Sequence, residues 1–456
     1  MATRALNLWY EARSSFWLVP LLMAAGAAAL STLTVWLDTR VDLGDDSVVY
    51  GGSADGAREL MATLAGSMIT VAGVVFSVTV VTLSLTSSQY GPRILRNFMR
   101  DPGNQFVLGT FIATFLYCLL VLRTIRGGET VDEGSVPSIS ISIGIALAIL
   151  SIVVLIYFIH HAASSIQANN LVAVIGHDLD RSIERFLQGE TDSPRAGAAD
   201  QMPEQAPRSY ETGAIPIAAN GSGYVTAVNL QGLIGLAAER DMVLLVDQRP
   251  GQYVIPGTAL ARAWPGGDVG DELAASINAH FILGNVRTLE QDVEFAADQL
   301  VEMAVRALSP SVNDPFTAIA CVDRLGSSIA GFMRGDCPSA SHYDAEGRVR
   351  VITTSHVTFR GMMDAAFNQI RQNAGSHVSV WVRLLETIGR LGLHARTSEH
   401  RGVLAHHAEI MVRGARASIR EPNDLRDLED RYEKALASIE RAKAPAGAGP
   451  GRAGVA

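Results

Sequence analysis

Long apolar stretches alternate with short charged loops over the first 160 residues of this chain. Phe16–Leu37, Leu60–Pro92, Pro102–Leu122 and Gly134–Ile159 contain no Asp, Glu, Lys or Arg. A helix rises ~1.5 Å per residue, so roughly 20 residues cross a hydrocarbon core ~30 Å thick. Each stretch is long enough. One such run alone is compatible with a buried core helix, but four in close succession predict an integral membrane region. The spans fall near 16–37, 62–86, 104–123 and 138–160, within a transmembrane domain of residues 1–162. Arg4 and Arg13 precede the first run in the manner of a secretory signal. That run is too long for a signal core and three more follow, so it reads as an uncleaved anchor.

Beyond residue 162 the period shortens. Ile166, Leu171, Val174, Ile175, Leu179, Ile183 and Phe186 recur every three or four residues, predicting that the last span runs on as a helical extension over 163–188. Residues 189–222 are rich in Gly, Pro, Ala and Ser and read as a linker. Short apolar runs split by Pro-Gly turns predict a small β unit over 223–266, with Leu230–Ala238 as an intervening helix. Its spacing of Gly251, Val254, Gly257 and Leu260 resembles half of a barrel-sandwich module, without the lysine that such modules modify. A helical domain follows over 270–443, opening with a long helix at Phe281–Leu308, and 444–456 is a disordered tail. Along that first helix, Glu290, Glu294, Asp298, Glu302 and Arg306 form one i, i+4 line, most simply a solvated face. The predicted fold is mainly α: four transmembrane helices, then a part holding a small β unit and a helical domain.

Composition narrows the chemistry. The net charge is −9 and no basic block occurs, which argues against nucleic acid as a partner. Lys434 and Lys443 are the only lysines, so residues 1–433 hold no Walker-type phosphate loop and no Schiff-base lysine. Cys118, Cys321 and Cys337 lack metal-site or redox spacing. No cofactor and no metal are expected. The loop after the second span carries Arg93, Arg96 and Arg100, whereas the loop after the first is acidic. Positive residues favour the cytoplasmic side, so both termini are expected inside, across a bacterial inner membrane. The spacing of those three arginines suits a helix lying on lipid headgroups, or equally an ordinary basic loop.

The second span has a polar stripe. Ser67, Thr70, Ser77, Ser84 and Ser88 fall on a seven-residue repeat whose gaps are filled by Val74 and Val81. Such a stripe either lines a water-filled path in an oligomer or lets helices pack closely in lipid. Gly109 and Ala113 in the third span form a small-xxx-small pair that reads as packing. No acid or base lies at depth in any span, which argues against a coupled transporter.

Two segments carry a resemblance. Ile69–Ser77, Ser87–Arg93 and Arg96–Asp101 form one; Arg287–Asp292 together with Arg306–Ala318 form the other. Together they resemble the bacterial predicted membrane proteins grouped as domain of unknown function 2254. The resemblance implies an inner-membrane location and supplies no activity. Its second motif marks Glu290, Gln291, Asp292, Asn313 and Asp314 as a surface of interest, with Asp314 and Pro315 placed to start a helix. The leading expectation is a non-enzymatic, homo-oligomeric, channel-like protein in the lipid bilayer with a cytoplasmic regulatory domain. The alternative is a membrane-anchored sensor or scaffold that binds an unidentified cytoplasmic partner. In third place stands an enzyme whose Asp292, Asp298, Asn313 and Asp314 gather around a divalent cation.

Overall fold

A computed structural model describes residues 17–40, 50–91, 101–125, 136–165, 167–188, 213–265 and 270–441. They fall into two compact units, Met1–Asn170 and Leu171–Ala456. The chain is mainly helical, with thirteen helices among the described residues.

In the first unit, α1 (Leu18–Asp38), α2 (Ala54–Tyr90), α3 (Pro102–Leu122) and α4 (Ser138–Ser165) are each long and apolar enough to cross a membrane. The second helix starts eight residues earlier than the span expected at 62–86. Ser53 caps it by accepting from the Gly56 N–H at 3.2 Å, and Asp55 in the first turn suits the positive helix end. At 37 residues it is about 55 Å long, well beyond the hydrocarbon thickness. Asp101 caps α3 through the Gly103 N–H at 2.9 Å, with Pro102 in the first turn. Its second carboxylate oxygen lies 2.5 Å from His161 Nε2 near the end of α4, while the neighbouring His160 is exposed. The two adjacent histidines do point apart.

The third helix packs against the other three. Val107, Leu108, Phe111, Tyr117, Cys118 and Val121 are buried in its contacts. A Cβ at Gly109 would meet Met23 Sδ at 2.5 Å, so the Gly109 notch is where α1 seats. Several interior hydroxyls are matched, as a bilayer favours, although Thr86 Oγ1 has no partner. Thr114 and Ser151 meet at 3.1 Å, and Tyr117 donates to the Ser140 carbonyl while touching Thr34 Oγ1 at 3.0 Å. Asp38 closes one end by accepting from the N–H groups of Ile139 and Ser140 at the start of α4.

The amphipathic extension is a separate helix, α5 (Ala168–Gln188), not a continuation of α4. The proposed linker lies outside the described residues up to 212, but its end holds β1 (Ile215–Ala218). The β region is also larger than 223–266. Alongside β2 (Gly223–Val228), α6 (Leu230–Glu239), β3 (Val243–Val246), β4 (Tyr253–Val254), β5 (Ala259–Trp264) and α7 (Asp271–Asn278), it recruits three later strands. These are β6 (Phe281–Gly284), β7 (Ser341–Tyr343) and β8 (Val349–Thr353). One sheet runs β1-β5-β3-β8-β7, antiparallel except for the parallel β3–β8 pair; the other runs β4-β2-β6. The parallel pair needs a long crossover, which the intervening helices supply. Leu244 and Val246 face a core shared with α6, α7 and β6, while Val243 and Leu245 face the other side. Both faces of β3 are therefore buried, and its four residues read as one apolar run.

The predicted helix Phe281–Leu308 is a strand, a loop and a helix. Phe281, Ile282 and Leu283 pair with β2, and α8 (Val293–Ala307) begins only where Asp292 accepts from the Phe295 N–H at 3.0 Å. After it come α9 (Pro315–Phe332), α10 (Phe359–Asn373), α11 (Val378–Gly392), α12 (Ser398–Ser418) and α13 (Pro422–Arg441), all within the stretch read as a helical domain. The tail from 444 lies outside the described residues.

Candidate functional site

The five stripe residues of α2, Ser67, Thr70, Ser77, Ser84 and Ser88, are all exposed. The buried positions of this helix are instead Ala57, Met61, Ala65, Met68, Ala72, Val75, Thr82 and Thr86. The stripe does not pack inside its own bundle. It shares the outward face with Gly66 and Gly73, where an added Cβ would meet nothing within 4 Å. Gly66, Thr70, Gly73, Ser77, Val80 and Ser84 follow one another at alternating intervals of four and three residues. That is the spacing of a left-handed helix–helix seam, and over 18 residues it covers about 27 Å, close to the hydrocarbon thickness. Thr70 satisfies its hydroxyl on the Gly66 carbonyl at 2.8 Å, so the hydroxyls themselves do not forbid lipid contact. The smallness of the face is the distinctive feature. Arg93, Arg96 and Arg100 lie outside the described residues.

The second motif is built around Arg287. Its guanidinium holds Asp292 by two bonds, 2.7 and 3.0 Å, and reaches Asp298 Oδ2 at 2.6 Å. Asp292 is 2% exposed, and the guanidinium carbon lies 5.1 Å from the Phe295 ring centre. Burial works against the charge of Arg287; the hydrogen bonds and charges of Asp292 and Asp298 more than restore it. Gly251 follows the same logic. Its φ is +93°, and a Cβ there would sit 2.2 Å from Asp292 Oδ2. Arg249 pairs with Glu294 at 2.8 Å, and Gln291 accepts from the Val228 N–H at 2.9 Å. Glu290 is exposed before the helix begins. The acidic line is thus not wholly a free face: Glu294 ties α8 to Arg249 and Asp298 ties it to Arg287 in the loop before it, while Glu302 and Arg306 pair within the helix at 3.6 Å.

At the other end of α8, about 22 Å away by helix length, Asp314 caps α9 through the Thr317 N–H at 3.1 Å. Asn313 is exposed with φ +52°, a conformation that asparagine tolerates better than most residues. Asp292, Asp298, Asn313 and Asp314 therefore do not gather around one cation; the first two are neutralised by Arg287 and the last two form a turn and cap. Sequence reasoning missed Arg249 and Gly251 as partners of the motif. The positive φ of Gly251 was signalled by its Arg-Pro-Gly turn; the pairing across 40 residues had no signal.

The sequence profile of the predicted membrane proteins described as DUF2254 matches residues 13–390. The chain belongs to the DUF2254 family. Relatives include the uncharacterized protein Rv1290c of Mycobacterium tuberculosis and the uncharacterized protein Mb1321c of Mycobacterium bovis. Each is 30% identical over 423 residues, covering 90% of this chain and 78% of the relative. No solved structure matches. In this DUF2254 chain the second motif is a structural knot that joins the β region to the helices. The described part of the first motif lies on α2 and its C-cap, and places Thr70, Gly73 and Ser77 on the outward face.

Proposed function

We propose that this DUF2254 protein is the subunit of a homo-oligomeric, channel-like assembly in the bacterial inner membrane. In this reading α2 helices meet along the Gly66–Ser84 seam, and the second unit is a cytoplasmic regulatory domain. The observation that carries it is the outward small-residue face of α2, with hydroxyls at heptad spacing and glycines that no neighbour fills. A lipid-facing helix normally carries bulky apolar side chains, as the exposed Ile149, Ile152, Val153 and Ile156 of α4 do. In a symmetric ring, the seam brings the serines of successive subunits to the axis, where hydroxyls partly replace hydration.

Cysteine crosslinking in membranes of a Cys337→Ser background tests the seam. Ser77→Cys should give dimers and larger species, whereas Phe76→Cys, on an adjacent exposed face, should not. Conductance in a planar bilayer that changes with Ser84→Leu supports permeation. Crosslinking without conductance leaves an oligomeric anchor, and the absence of crosslinks refutes the seam. One feature favours the scaffold alternative: Phe316 is 80% exposed beside Val312 in the turn between α8 and α9. A specific soluble partner lost with Phe316→Ala would support that reading.

A further inference from the structure

In the second unit, α8 packs on α10 and α10 on α12. The first two start side by side, since Gly361 of α10 lies against the carboxylate of Glu294 on α8. Buried polar atoms without a hydrogen-bond partner include Asn368 Oδ1 and Arg371 Nε on α10, both ring nitrogens of His407 on α12, and Gln299 Oε1 on α8. Each orphan costs about 1–3 kcal/mol when nothing satisfies it, so five on neighbouring helices call for an explanation.

His407 is 0% exposed, and its Nε2 lies 3.3 Å from Asp364 Oδ1 without the alignment of a hydrogen bond. The Asp364 side chain is 44% exposed, so the deepest ring of the group is one side chain from solvent. Asp364, Asn368 and Arg371 recur at i, i+4 and i+7 on one face of α10, with Arg360 one turn before them. Burial drives the His407 imidazole down to about 4, opposed by Asp364 and aided by His406, Arg371 and Arg360. At neutral pH the ring is uncharged and offers one donor and one acceptor. Asn368 Nδ2 donates to Asp364 Oδ1 at 2.9 Å, which turns its carbonyl oxygen away as a bare acceptor. Among the described residues no carboxylate forms an ion pair with Arg360 or Arg371.

We infer that the α10–α12 interface is a binding site for a small oxyanion that also carries a hydrogen-bond donor, held by Arg371 and His407 and screened from solvent by Asp364. The oxyanion answers the unpaired guanidinium, and the donor answers the carbonyl oxygen of Asn368. A protonated phosphate or a phosphomonoester has both features; acetate has only the first. The site is independent of the α2 seam, and it gives the second unit a chemical input.

The test uses the full chain in detergent, with thermal unfolding and calorimetric titration at matched ionic strength. The probes are inorganic phosphate, adenosine monophosphate, acetate and chloride. Stabilisation by phosphate or the nucleotide beyond that by acetate and chloride is expected. A shift by phosphate alone points to the free ion, and one larger with the nucleotide to a phosphomonoester. Arg371→Gln should weaken binding at least about tenfold, the loss typical of a charge-assisted bond. Asp364→Asn removes a like charge and should tighten binding. Equal shifts with chloride, or binding unchanged in Arg371→Gln, would overturn the site. If Arg371→Gln does not fold, weaker binding in Asp364→Asn overturns it.

Discussion

Asp292 shows how much of the second unit rests on single side chains. It caps α8, receives two bonds from Arg287, and fills the space above Gly251. Removing one partner of a nearly buried ion pair typically costs 3–5 kcal/mol, because the other charge remains without compensation. Asp298 still faces Arg287 at 2.6 Å, so Asp292→Asn, which loses two charge-assisted bonds, should destabilise the second unit by less, about 2 kcal/mol. Chemical unfolding followed by the fluorescence of Trp264 and Trp381 would measure it. Arg287→Ala in the same background should add less than its separate cost, since both act on one knot. A second residue-scale outcome concerns pH. The unfolded chain protonates His407 near its ordinary 6.5, the folded chain only near 4. Between those values the unfolded state binds more protons, so stability falls as pH is lowered through that window. His407→Gln should flatten that slope above pH 4.5, where most of the carboxylates keep their charge.

Elements were legible where period and caps agreed. The four spans announced themselves by uncharged length, and Asp314-Pro315 marked a helix start that the structure keeps. The segment 281–308 was not legible, because Phe281-Ile282-Leu283 continues a helical apolar pattern and becomes a strand only through pairing with β2, more than 50 residues earlier. The α10–α12 cluster was invisible for the same reason: its members are ordinary polar residues until packing buries them. The helix α5 offers an element-scale prediction. Arg324 bridges to Asp180, Ser328 donates to the same carboxylate at 2.6 Å, and Gly176 leaves the room that Arg324 occupies. Phe186 stacks on Phe332 at 5.8 Å, and Arg185 donates to the Leu289 carbonyl at 3.1 Å. A Cβ at Gly176 would fall on the Arg324 side chain, so Gly176→Val should displace it and loosen α5 from α9. Hydrogen exchange across 171–187 should then speed up by roughly tenfold or more, the equivalent of about 1.4 kcal/mol, while α11 and α13 stay protected.

At the scale of the whole molecule, the sequence displayed the α2 stripe but not its direction. A seven-residue repeat states that residues share a face; only the placement of Met61, Met68, Ala72 and Val75 against α3 and α4 shows that the hydroxyl face is the outer one. That placement changes what a substitution should do. Were the stripe internal, a large side chain at Gly73 would overpack the bundle and unfold it. Because a Cβ there meets nothing within 4 Å, Gly73→Leu should leave the single chain folded with an unchanged thermal midpoint. Between copies, the same leucine separates two backbones that small residues allow to approach. Native mass spectrometry in mild detergent should then shift from oligomer toward monomer, and Ala65→Leu, on the buried face, should do the reverse by harming the fold itself. An oligomer that persists in Gly73→Leu would place the contact on another helix and remove the basis for a pore along α2.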